Sequence, residues 1–167
     1  MKYIKDLFFH MHWADAQVWD AVLTSDHIAD DARIIDLFYH VHSVQRAFMA
    51  VWTNNPIAMP KREHFVSLQQ LADWGRTYHM EMMELWPSFD TTRLEEVMSV
   101  PWSRFMEQRM GRKPDTVTME ETMLQVLQHS TYHRGQINAR LREIGAEPPL
   151  TDYITWLWLG RPAPEWK

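Results

Sequence analysis

The chain has 167 residues and no cysteine, and its formal net charge is −5 from 17 basic and 22 acidic side chains. This length can bury a core without covalent staples, so we expect one domain spanning residues 1–167. The absence of cysteine excludes disulfides, zinc–thiolate sites and a thiol nucleophile of the chain's own. Because the basic residues are dispersed and the net charge is negative, we do not expect nucleic acid as a partner.

The N-terminal apolar residues are interrupted by Asp6, His10, His12 and Asp15, a pattern that does not fit a secretory signal. No apolar run is long enough to span a bilayer. We therefore expect a cytoplasmic protein with no membrane partner.

Two helices are predicted in the first third of the chain. Apolar residues recur at intervals of three and four over residues 3–23, the period of an amphipathic helix. Polar breaks at 24–26 and 30–31 follow, and an Asp there can cap the next helix. That second helix, residues 32–52, is apolar around nearly its whole circumference, which is typical of a central helix.

A third helix and a long excursion follow. Ser67 with Gln70 forms a capping-box signature, and helical spacing continues until Pro87 ends the helix. From 88 to 117 the pattern changes to short runs, and residues 97–100 are the best candidate strand. We predict that this excursion contains a hairpin.

A fourth long helix begins after Thr118, which pairs with Glu121 in a second capping box, and ends at Gly145. The aromatic tail 152–159 is expected to pack back on the helices. The predicted fold is all-α: a four-helix bundle with a long excursion between helices three and four.

Histidines on two of these helices are candidate metal ligands. His129 and His133 are four residues apart, so they lie on one helical face, at the edge of the apolar stripe. At about 100° per residue, His40 shares a face with apolar residues of helix two, whereas His42 points the other way beside Arg46. We therefore predict His40 as the inward histidine.

The remaining histidines are weaker candidates. His10 lies at the edge of the stripe of helix one and is a reserve ligand. Four others are predicted to face solvent or lie in loops: His12, His27, His64 and His79.

A non-metal interpretation competes for each candidate. A lone inward histidine is more often a hydrogen-bonded core residue than a ligand. Two adjacent buried imidazoles without partners would cost about 1–3 kcal/mol for each unsatisfied group, and a metal would remove that cost. Spacing alone leaves both interpretations open.

Longer motifs carry a family resemblance. The run 129–137, followed by Leu141-Arg142, Gly145, Pro148-Pro149 and Asp152-Tyr153, resembles the signature of the DinB-like family. Two shorter stretches agree with it, 37–41 in helix two and Trp13-Ala14-Asp15 in helix one. Residues 53–117 carry little of the resemblance.

The resemblance implies a four-helix bundle, often homodimeric, with a divalent metal held by His40, His129 and His133. Imidazole ligands suit several ions, and we expect Zn or Ni ahead of Fe or Mn. The chain departs from the family pattern at Gln45, where Glu is frequent, and at Asp15, where Asn is usual. Neither change removes a ligand.

The resemblance also implies a small-molecule substrate. The superfamily includes transferases that use low-molecular-weight thiols such as bacillithiol, and a chain without cysteine would have to bind such a thiol as a cosubstrate. Gln136 lies on the histidine face and can orient a ligand, whereas Arg134 is predicted to make a structural or an interface pair. The alternatives are a metal-dependent hydrolase and a stress-related, non-enzymatic metal-binding or dimerisation module. No acidic residue is singled out as a catalytic base.

Overall fold

A computed structural model describes residues 2–25, 28 and 31–167, and helices dominate it, which confirms the all-α prediction. The helices are α1 (Lys2–Leu23), α2 (Ala32–Trp52), α3 (Leu68–Leu85), α4 (Thr91–Leu94), α5 (Ser103–Met110), α6 (Met119–Glu143) and α7 (Tyr153–Trp158). The strands are β1 (Val97–Met98) and β2 (Val117–Thr118), and short 3-10 turns cover Arg62–His64 and Trp86–Ser88. His27, Asp26 and Asp30, which entered the sequence predictions, lie outside the described residues.

The helix starts follow local capping. The Asp31 carboxylate accepts a hydrogen bond from the Ile34 backbone N–H and caps α2. The Thr118 hydroxyl accepts from the Glu121 N–H while the Glu121 carboxylate accepts from the Thr118 N–H, so the predicted capping box of α6 is confirmed. These starts are determined by residues three apart in sequence.

The four long helices form the bundle, and each packs against two others. Both α1 and α2 contact α3 and α6, so the consecutive helices α1 and α2 lie on a diagonal of the bundle. The core has two apolar layers. One contains Phe8, Phe48, Tyr78 and Met123, and the other contains Trp19, Phe38, Leu71 and Ile137.

The order of these layers along each helix gives the topology. Chain direction runs from the first layer to the second in α1 and α6, and from the second to the first in α2 and α3. Helices α1 and α6 are therefore parallel to each other and antiparallel to α2 and α3. Because α2 ends in the layer opposite to the one in which α3 begins, the loop 53–67 must run back along the bundle. A polar layer separates the two apolar ones.

The excursion contains the predicted hairpin and two short helices that the sequence did not reveal, α4 and α5. Val97 pairs with Thr118 and Met98 with Val117 in an antiparallel ladder, so the strand prediction is confirmed for two of its four residues. Helix α5 lies between the strands and ends at Gly111, whose φ of 69° is favourable for glycine. It escaped prediction because it is only eight residues long and none of them is buried.

The tail packs back on α1, as predicted. Trp156 of α7 is buried against Trp13 and Ala14, and the Trp166 indole N–H donates to His12 Nε2 over 2.9 Å. Within the part of the chain that the structure describes, no helix combines the length and the apolarity needed to cross a bilayer.

Candidate metal centre

Three histidines from two antiparallel helices converge at one side of the bundle. His40 Nε2 lies 3.0 Å from His129 Nε2, which lies 3.1 Å from His133 Nε2. One ring nitrogen from each residue falls within 4.8 Å of the other two. The α2·α6 contact brings His40 to the His129/His133 pair. We call these three residues the histidine cluster.

The donor set fits a divalent ion. Metal–imidazole bonds of about 2.0–2.1 Å place two nitrogens on one ion about 3 Å apart, close to the observed separations. Without an ion, each close nitrogen pair needs a proton between two basic atoms. Burial, with His133 and His40 nearby, lowers the pKa of His129 to about 4, so its ring is neutral at pH 7. Burial and His133 also lower the pKa of His40. Neutral imidazole is the form that binds metals.

A glutamine orients one of the rings. His133 Nδ1–H donates to Gln136 Oε1 over 2.7 Å, which leaves the His133 Nε2 lone pair facing the cluster. Metal-binding histidines are commonly held in this way by an oxygen on their second nitrogen. By contrast, His129 Nδ1 is buried with no partner among the described residues. Gln136 therefore holds the His133 ring, whereas the sequence suggested that it would orient a bound ligand.

A second group of polar side chains fills the layer between the two apolar cores. It contains one or more residues from each long helix, all less than 6% exposed: Asp15, His42, Gln45, His79, Ser130 and Arg134. We call it the buried polar cluster. Its presence corrects three predictions. His42 and His79 are interior residues, and His12 is also buried, at 7% exposure.

Asp15 is the centre of this cluster. Its Oδ1 accepts from Arg134 over 2.8 Å, and its Oδ2 accepts from His79 over 3.1 Å and from Gln45 over 3.0 Å. Burial opposes ionisation, but the His79 hydrogen bond and the Arg134 charge outweigh it and hold the pKa of Asp15 below its usual range. Arg134 therefore makes a structural pair, as predicted, and its partner Asp15 is 119 positions away in the sequence.

Both nitrogens of His42 are also occupied. Its Nδ1–H donates to Gln45 Oε1 over 2.8 Å, and its Nε2 accepts from the Trp19 indole N–H over 2.9 Å. Burial lowers the pKa of His42 to about 4. The ring is therefore a neutral, satisfied core residue with no lone pair left for a metal.

The helical wheel assigned the wrong histidine of α2 to the interior. The buried positions of α2 include His42 and Gln45, whereas His40 is exposed. The helical wheel took the apolar residues on the His40 face as a sign that this face is interior. Three of them, Val44, Ala47 and Phe48, instead line a cavity at the side of the bundle. His10 is likewise not part of the histidine cluster: its Nε2–H donates to the Thr151 carbonyl over 2.9 Å. His64 is exposed, as predicted.

The histidine cluster opens on that cavity. It has a volume of about 1350 Å³, lies between α2, α6 and the excursion, and His40 and His129 are among the residues that line it. Clefts that bind small molecules typically measure about 300–1,000 Å³. The cavity therefore has room for a substrate beside the cluster.

Comparison with known protein families gives a match over nearly the whole chain. The sequence model of the DinB family matches residues 5–165. The chain belongs to the DinB family. No curated protein matches it. In this DinB-family protein the two departures noted in the sequence, Asp15 and Gln45, are bonded to each other in the buried polar cluster. Neither belongs to the histidine cluster.

Sequence reasoning missed the buried polar cluster as a unit. The available signal was position: Asp15, Gln45 and Arg134 fall between two apolar blocks on their helices. On each helix taken alone, a polar residue is expected to face solvent. Here the three side chains can be buried because they form hydrogen bonds with one another.

Proposed function

We propose that this DinB-family protein is a metal-dependent enzyme that transfers a low-molecular-weight thiol to an electrophilic small molecule. The proposed ligands of its divalent ion, Zn or Ni ahead of Fe or Mn, are His40, His129 and His133. The observation that carries the proposal is the convergence of three imidazole nitrogens at the edge of a large cavity. Three protein ligands leave a coordination position open, as reactive sites require.

The chemistry follows from the donor set and the composition. A bound divalent ion would supply the charge that stabilises a thiolate. The thiol must be a cosubstrate, because the chain has no cysteine. Its S–H proton passes to solvent, the sulfur bonds to the electrophilic carbon, and the leaving group departs with its bonding electron pair. Gln136 keeps the His133 Nε2 lone pair directed inward, and the cavity walls hold the electrophile.

Metal content tests the first half of the proposal. The protein, purified without a metal-binding tag, is compared by elemental mass spectrometry with His133→Ala and with His64→Ala, an exposed histidine outside the cluster. We expect about one metal per chain in the natural protein and the His64 control, and strong loss in His133→Ala. A natural protein that is empty and cannot be loaded with Zn, Ni, Mn or Fe would overturn the proposal.

Turnover tests the second half. The loaded protein is mixed with a chromogenic alkyl or aryl halide, with and without a bacillithiol-type thiol. Thiol-dependent product formation supports transfer, and turnover without thiol identifies the alternative, a hydrolase that uses a bound water. Stoichiometric metal with neither activity would favour a non-enzymatic binding module.

We also propose that the protein is a homodimer. Helix α7 exposes Ile154 and Trp158, four residues apart on one face, and Trp158 is 79% exposed. We expect sedimentation to give a dimer for the natural protein and a weaker one for Trp158→Ser, with Tyr3→Ser as the control. A monomeric natural protein would refute the dimer and leave the metal proposal unaffected.

A further inference from the structure

Most of the wall of the cavity beside the histidine cluster is apolar. Phe48 of α2 and Trp102 of the excursion form part of this wall and meet edge to face, with ring centroids 4.9 Å apart. Methionines from the loop 53–67, from β1 and from α5 also line it: Met59, Met98, Met106 and Met110. Methionine side chains are flexible and polarizable, so a wall that contains them adapts to apolar groups of different shapes.

Helix α5 contributes to this wall without being part of the core. Met106 and Met110 are four residues apart on one face of α5, and both line the cavity although they are 38% and 50% exposed. No residue of α5 is buried. Apolar surface in contact with water costs free energy, which an apolar molecule bound against it would recover. The two methionines are therefore suited to contact a ligand.

The charged side chains in the lining balance one another. Three are cations and three are carboxylates, so the formal charge of the lining is zero: Arg104, Arg109, Lys113, Glu107, Asp115 and Glu121. Asp115 pairs with Arg112 over 2.8 Å, and Glu121 caps α6. A charged ligand would leave water for an apolar wall that offers no excess of counter-charge, and this transfer costs free energy. The lining therefore favours a molecule without formal charge.

We propose that the cavity binds an uncharged, apolar small molecule, and that Met106 and Met110 of α5 are specificity-determining residues for it. Under the proposed function this molecule is the electrophile, an alkyl or aryl compound that carries the leaving group. That assignment rests on the proposed function, whereas the binding of an uncharged apolar molecule to the cavity does not.

Displacement of a fluorescent probe tests the selection. The uncharged probe N-phenyl-1-naphthylamine is bound to the protein and displaced by the straight-chain alcohols hexanol, heptanol and octanol. We expect about 4-fold tighter binding for each added methylene. Octanoate and octylammonium, which have the same chain length and opposite charges, should each bind at least about 10-fold more weakly than octanol. This comparison is made with chelator present, so that no metal ion binds the carboxylate.

Paired methionine variants test the position of the ligand. Met106→Gln/Met110→Gln should weaken binding of the probe roughly 4- to 15-fold, as the loss of one or two methylene-sized apolar contacts does. Met80→Gln is the control, because Met80 of α3 is 49% exposed and lies outside the lining. Circular dichroism confirms that each variant is folded.

The same probe separates this inference from the metal proposal. Binding should persist in chelator-treated protein and in His133→Ala, so an empty metal site would leave the apolar site standing. Failure of the probe to bind would overturn the inference, and so would octanoate or octylammonium binding as tightly as octanol. Equal effects of Met80→Gln and Met106→Gln/Met110→Gln, or no gain in affinity with chain length, would overturn it as well.

Discussion

The histidine cluster and the buried polar cluster use the same residue types on the same helices, yet they have opposite character. His40 and His42 are two residues apart on α2. His42 is fully buried with both nitrogens hydrogen-bonded, whereas His40 Nε2 lies 3.0 Å from His129 Nε2 in a group of three imidazoles. The role of an imidazole thus depends on what faces its nitrogens, and burial alone does not identify a ligand. The side chains of the buried polar cluster satisfy one another, whereas the nitrogens of the histidine cluster face one another.

The largest expected difference between the clusters is in stability. Asp15→Ala leaves Arg134 and His79 buried without their acceptor, and breaking a buried ion pair costs about 3–5 kcal/mol. His133→Ala, measured without metal, should cost about 1 kcal/mol or less, because its side chain is only half-buried. Urea unfolding of both variants in chelator measures the difference. Asp15→Asn, which keeps one acceptor oxygen, should fall between them, and equal losses for the two alanine variants would break the comparison.

Two glycines provide a sharper test of packing around His42. A Cβ on Gly75 of α3 would lie 2.3 Å from His42 Nε2, so Gly75→Ala must displace a fully buried ring. We expect a loss of about 1–3 kcal/mol despite the better helix propensity of alanine. Gly135→Ala on α6 meets nothing within 4 Å and should gain about 0.5–1 kcal/mol. Thermal unfolding measures both, and a stabilised Gly75→Ala would show that α3 and α2 can separate without cost.

On the histidine cluster, Gln136 should affect metal affinity more than folding. Gln136→Leu removes the acceptor that holds His133 Nδ1–H, and loss of such a partner typically costs 10–100-fold in metal affinity. Zinc titration against a competing chelator measures the change. Gln128→Leu, an exposed glutamine two turns earlier on α6, is the matched control. Indistinguishable affinities for the two variants would mean that Gln136 does not position the ligand.

A further difference is expected in the pH dependence of stability, at His12. Burial, and then the neighbouring His79, lower the pKa of His12 from 6.5 to about 3. As the pH falls, the unfolded chain therefore binds a proton at His12 before the folded protein does. The free energy of unfolding decreases as the pH drops from about 6.5 towards 3. His12→Phe removes that contribution, so its stability should fall less steeply from pH 7 to pH 4. Urea midpoints at several pH values, with chelator present, test this, and parallel curves would exclude His12 as a source of the acid sensitivity.

The sequence by itself determined the four long helices, the capped starts of α2, α3 and α6 and the short strand at Val97, because helical period and capping depend on residues a few positions apart. It also singled out His40, His129 and His133, through the four-residue spacing of one pair and the family resemblance. Helix α5 lacked a buried stripe and escaped prediction.

Only the tertiary structure decided which polar residues are interior. Asp15 and Arg134 are 119 residues apart, and each can be buried only because the other, with His79 and Gln45, satisfies it. The sequence of one helix does not show which partners the other helices will supply, so its buried polar positions look like solvent-facing ones. The diagonal placement of α1 and α2 and the cavity likewise arise from contacts between segments that are distant in the sequence.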